Sequence, residues 1–101
     1  MRIKAADSGD VGQMHTVSLQ GRKILIVRTA EGLFAIEDSC PHAQQELSSG
    51  NVDGTLLTCR HHGVQIDLRT GQITWSMGFL GLQPSNVFTV EETGGSIWID
   101  L

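Results

Sequence analysis

Apolar residues along the chain fall in short bursts separated by glycine and polar turn residues. Residues 23–29 (KILIVRT) are rich in β-branched side chains and predict a strand. Residues 33–37 (LFAIE) predict the next, across the turn Ala30-Glu31-Gly32. Ahead of both, residues 13–19 alternate loosely and are turned back by Gln20-Gly21-Arg22. Gly50-Asn51-Val52-Asp53-Gly54 is a dense turn signal. Residues 55–58 then read as a strand running into Cys59, and residues 64–68 as another. Arg69-Thr70-Gly71-Gln72 turns the chain into residues 73–75. Residues 76–85 form a glycine-rich connection containing Pro84. Residues 87–91 and 96–100 flank Thr93-Gly94-Gly95 and predict a hairpin that closes the sheet, with Val87, Ile97 and Ile99 buried. Trp75, Phe79 and Trp98 are expected in the core, and His15 on the surface of a strand. No 3.6-residue apolar period persists for three turns, so a long helix is not expected. Twelve glycines at strand-length intervals point to an antiparallel all-β chain.

Composition narrows the function. With 101 residues, residues 1–101 are expected to form one domain. Hydrophobic residues make up 40% and charged residues 18%, an ordinary globular balance. Seven basic against eleven acidic residues give a formal charge of −4, and no Lys/Arg cluster exists to track phosphates, which excludes nucleic acid as an expected partner. No apolar stretch approaches the roughly 18 residues of a membrane span. The N-terminus has no signal-peptide h-region, so a cytoplasmic location is expected. Two cysteines, Cys40 and Cys59, are too few for a disulfide scaffold.

The chemistry gathers in two short clusters, Cys40-Pro41-His42 and Cys59-Arg60-His61-His62-Gly63, with sixteen residues between His42 and Cys59. Each lies where a strand gives way to a loop, and each supplies a thiolate and an imidazole within short reach. Set on adjacent hairpins, a Cys-x-His loop and a Cys-x-x-His loop can place four soft or borderline ligands around one point. Two Cys and two His suit tetrahedral zinc. Zinc fingers, however, pair Cys with Cys and His with His, whereas each loop here is mixed. A mixed loop also fits a binuclear site with both Cys on one iron and both His on the other. A Cys40–Cys59 disulfide is a further alternative, disfavoured in a reducing compartment.

Residues 40–71, read as CPH, AQQELSSGNVDGTLLT, CRHHG and VQIDLRTG, resemble the cluster-binding segment of Rieske-type 2Fe–2S ferredoxins. That resemblance implies an all-β, Rieske-like antiparallel β-sandwich, with a small cluster-binding subdomain of two loops at about residues 38–75. It implies one Rieske 2Fe–2S cluster held by Cys40, His42, Cys59 and His62, the cysteines on the inner iron and the histidines on the outer. His61 falls where the family usually has an apolar or aromatic residue, so it is not expected to be a ligand. Ile66 stands where Phe or Tyr is frequent, and Arg60 where Pro is frequent.

The resemblance also bears on potential and partners. The chain has no cysteines left for a loop-pinning disulfide and no Tyr at all, and Val64 and Ile66 bring no side-chain donors to the cluster. A low-potential centre is expected, toward the lower end of the span of about −150 to +300 mV for Rieske sites. Such a protein is similar to the shuttle ferredoxins of bacterial multicomponent oxygenases of aromatic hydrocarbon catabolism. These pass electrons from a flavin-dependent NAD(P)H reductase to a terminal oxygenase and are not themselves enzymes, and this chain is expected to do the same as a monomer that docks transiently at the cluster tip. The stretch CPHxxxxLSxG…GxxxTCRxH resembles in particular the ferredoxins serving di-iron monooxygenases. The glycine-hinged run 77–82 either folds onto the core or covers the cluster. Two other readings stay open: a tightly held small subunit of a reductase such as nitrite reductase, and a zinc-stapled binding module.

Overall fold

Ile24, Leu25, Ile26 and Val27 are all fully buried, four apolar neighbours in one extended strand. Successive side chains of a strand point to opposite faces, so such a run needs a core on each side. The computed structural model, which describes residues 1–38, 47, 50–60, 63–75 and 84–101, supplies both. Leu25 and Val27 pack with Ile36, Leu57, Ile66 and Leu68. Ile24 and Ile26 pack with Val11, Ala35, Ile97 and Ile99.

In chain order the strands are β1 (Arg2–Asp7), β2 (Met14–Leu19), β3 (Arg22–Thr29), β4 (Gly32–Glu37), β5 (Asn51–Asp53), β6 (Leu56–Thr58), β7 (Gln65–Asp67), β8 (Ile73–Trp75), β9 (Val87–Thr93) and β10 (Ser96–Asp100). A 3-10 turn, Ser8–Asp10, follows β1. They form a six-stranded sheet in the order β1-β10-β9-β4-β3-β2 and a four-stranded sheet in the order β5-β6-β7-β8. Every pairing is antiparallel. Gln20 (φ 50°) and Gly21 (φ 77°) close the β2–β3 hairpin as a two-residue turn with both positions left-handed, which matches the twist of the strands they join.

The small sheet is an excursion in the chain between β4 and β9. Its two roots are tied together: the Glu37 amide donates to the Asn86 carbonyl over 2.9 Å, and the Asn86 side-chain amide donates to the Glu37 carboxylate over 2.7 Å. Leu57 of β6 pairs directly with Ile66 of β7, and both side chains are fully buried against Leu25, Val27 and Ile36. This shared core fixes the small sheet on the large one.

The structure departs from the sequence-based expectations at several points. Residues 2–7 form an edge strand that the pattern RIKAAD does not announce, since Lys and Ala are weak strand formers. Residues 50–54 are not simply a turn: Asn51–Asp53 is a strand, and the turn falls at Gly54-Thr55. The last hairpin does not end the sheet, because β1 pairs outside β10. Val87 is exposed because the pleat turns Phe88 and Val90 inward instead. Trp75 is half exposed and not in the core, while Trp98 lies partly buried beneath the Arg2 guanidinium, 4.8 Å from the ring centre.

Candidate metal centre

Strand β6 buries Leu57 in the core and leads into Cys59, a free thiol that is only 1% exposed. The chain then turns sharply. The Cys59 amide donates to the Val64 carbonyl over 2.7 Å, and the Gly63 amide donates back to the Cys59 carbonyl over 3.0 Å. Gly63 adopts φ +69°, a conformation that costs an L-residue about 1–2 kcal/mol. A Cβ there would also stand 3.3 Å from Cζ3 of Trp75, so the indole would have to give by a few tenths of an ångström. The loop is thus pinned at both ends, with Cys59 and Val64 set into the apolar core beside Leu57 and Ile66.

The preceding segment is fixed at its entry and its exit. At the entry, Asp38 is 4% exposed; its amide donates to the Lys23 carbonyl over 2.9 Å, and its carboxylate accepts from the Thr16 hydroxyl over 3.1 Å. At the exit, Leu47 is fully buried and its carbonyl accepts from the Gly50 amide over 2.9 Å. Gly50 lies so close to β6 that a Cβ would overlap the Thr58 carbonyl oxygen. The exit of the first loop therefore abuts the residue that precedes Cys59.

A third turn lies on the same small sheet. The Asp67 carboxylate accepts from the Arg69 amide (2.9 Å), Nε (3.2 Å) and Nη2 (3.1 Å). The Arg69 side chain, and after it the Arg69 backbone amide, holds the Asp67 carboxyl below its usual range. The Asp67 carbonyl in turn accepts from the Gly71 amide over 2.7 Å. Gly71 (φ +79°) takes the returning chain at very close range: its carbonyl accepts from the Ser85 amide over 2.9 Å, and a Cβ would overlap the Ser85 carbonyl oxygen.

Of the four expected ligands, Cys59 is described; Cys40, His42 and His62 lie outside the described residues, as do His61, Phe79 and the run 77–82. What is described fits a thiolate-bound iron: an unpaired, buried cysteine at the root of a hydrogen-bonded loop, next to the fixed ends of a second loop. His15 on β2 is half-buried. The sequence reading passed over two residues of this neighbourhood, Asp38 and Trp75. Asp38 follows Glu37 directly, so as the second of two acids at a strand end it gave no signal of burial; Trp75 gave none either, because a tryptophan in a strand is ordinarily core.

A family model described as the Rieske [2Fe-2S] domain matches residues 1–78. Ferredoxin CarAc of Metapseudomonas resinovorans is 30% identical over 98% of this chain and 91% of its own length. The 4beta-methylsterol monooxygenase of Methylococcus capsulatus is 45% identical over 56 residues, 54% of this chain, and the match spans only 15% of that protein. Among solved structures, a complex of reduced oxygenase and oxidized ferredoxin in carbazole 1,9a-dioxygenase contains a chain that superposes with a TM-score of 0.83 at 28% identity, covering 97% of this chain and 91% of that one. The fold and the buried cysteine loop define a small iron–sulfur domain of the Rieske kind. The chain belongs to the Rieske [2Fe-2S] domain family, and its cofactor is one Rieske-type 2Fe–2S cluster.

Proposed function

We propose that this chain is an electron-transfer ferredoxin, accepting single electrons from a flavin-dependent NAD(P)H reductase and passing them to a terminal oxygenase. The observation that carries this reading is the buried free thiol of Cys59 at the base of its closed loop, in a fold shared over nearly its whole length with a ferredoxin solved in complex with its oxygenase. We assign Cys40 and Cys59 to one iron and His42 and His62 to the other, with residues 1–101 acting as one Rieske domain. When bound, the cluster stores and releases one electron. The chain's own contribution is to hold the ligands in place. Asp38 and Leu47–Gly50 fix the first loop, and the Cys59–Val64 bond fixes the second. Burial of Cys59 keeps water from its sulfur. The role proposed is that of a carrier and not an enzyme.

Among the described residues no helix is long and apolar enough to cross a membrane. The reading includes a monomer working in the cytoplasm, whose transient contacts would be of the small redox kind, below about 1,200 Å². The charge of −4 favours basic partner surfaces, so association should slow as salt rises.

Two oxygenase classes have support. The carbazole dioxygenase ferredoxin as a structural relative favours a ring-hydroxylating dioxygenase. The stretch from Cys40 to His62 favours a di-iron monooxygenase. Anaerobic stopped-flow mixing of the reduced protein with a terminal component of each class separates them. Rapid reoxidation by one and not the other names the class, and reoxidation by neither counts against the shuttle.

A further inference from the structure

We propose that Trp75 is a positioning residue of the metal centre, its indole lying over Gly63 and keeping water from the hydrogen bonds that close the second ligand loop. This inference rests on the reading that Cys59 and His62 hold the cluster.

Trp75 is the last residue of β8, and it pairs with Gln65 at a point where the register between β7 and β8 shifts. The Thr74 hydroxyl donates to the Gln65 carbonyl over 3.3 Å, which ties that strand end beside the loop exit. From there the indole reaches Gly63, close enough that a Cβ on Gly63 would stand 3.3 Å from Cζ3. The Gly63 amide is the donor to the Cys59 carbonyl, so the ring rests on the residue that closes the turn. Trp75 remains 48% exposed, which no core role explains. A large aromatic left in water at that cost, with one part of its ring on the loop, acts as a cover. Backbone hydrogen bonds shielded from water open less readily, and a closed loop holds its metal ligands in register.

The test compares Trp75→Ala, Trp75→Phe and, as a control away from the loop, Trp98→Phe. Visible absorbance of the purified wild type comes first; an absence of cluster there would sink the ferredoxin reading itself, separately from this inference. With cluster present, two rates are measured: loss of cluster absorbance in air with a chelator, and hydrogen exchange of the peptide spanning residues 59–65. Both should rise several-fold in Trp75→Ala, because the bonds that close the loop then open more readily. Trp75→Phe should restore most of the protection, and Trp98→Phe should match wild type. Exchange at residues 24–27 should not change. Wild-type rates in Trp75→Ala overturn the proposal. So does equal loosening of residues 24–27, which would mark a general loss of stability.

Discussion

The amide of Cys59 and the carbonyl of Val64 meet at 2.7 Å, and both residues are sealed in the core between the two sheets. The intervening residues are therefore carried on a loop whose ends cannot separate without disturbing Leu57 and Ile66. A metal ligand on such a loop is preorganised, because its backbone freedom has been given up on folding and not on binding.

Only one of the two adjacent histidines is placed in the ligand set. His62→Ala should abolish cluster assembly, and His61→Ala should leave the absorbance of the purified protein unchanged. The opposite result would transfer the ligand role to His61.

Beneath the loop, Leu57 and Ile66 face each other across β6 and β7 and are fully buried. Truncating either to alanine should cost about 2–5 kcal/mol. In a domain of this size each kcal/mol lowers Tm by roughly 4–8 °C, so a thermal melt reads the loss directly.

Gly71 and Gly9 make a matched pair. An alanine at Gly71 would overlap the Ser85 carbonyl oxygen in a left-handed backbone, whereas at Gly9 nothing lies within 4 Å and φ is not positive. Gly71→Ala should destabilise the protein by more than about 2 kcal/mol, and Gly9→Ala should stay within about 0.5 kcal/mol of wild type, by denaturant titration.

Arg28 of β3 reaches past β4 to Glu92 of β9 with two hydrogen bonds, of 3.1 and 2.9 Å. These bonds first, and the Ser8 side chain second, hold the Glu92 carboxyl down to about 2, against a usual value of 4.5. A depressed carboxylate pKa contributes stability that is present above the unfolded value and lost as pH falls toward the folded one. The Tm gap between wild type and Glu92→Gln should therefore be widest above pH 4.5 and close as pH drops toward 2. A gap that does not vary with pH would mean the pair contributes nothing through ionisation. Both groups are solvent-exposed and the pair is of the screened surface kind, so the gap should be small and should shrink with salt.

Much of the large sheet was legible because its strands are long and apolar. KILIVRT and LFAIE become β3 and β4 nearly residue for residue. Strand β5 was hidden by its own composition: Asn51 and Asp53 are turn formers, and only the pairing of Val52 with Leu57 makes the segment extended. β1 was hidden because its order comes from pairing with β10, at the opposite end of the chain. At the site, the paired Cys-His clusters and their spacing were visible in the chain. The contacts that fix the loops were not: Asp38 with Thr16, Gly50 with Thr58 and Trp75 with Gly63 join residues whose proximity exists only once both sheets have formed.

The measurement that bears most directly on the central claim is the EPR spectrum of the dithionite-reduced, as-purified protein, taken alongside metal analysis. Mixed Cys/His ligation predicts a rhombic signal with an average g below that of all-cysteine 2Fe–2S ferredoxins, with two irons per chain. A silent spectrum with stoichiometric zinc would contradict it and leave a metal-stapled binding module in its place.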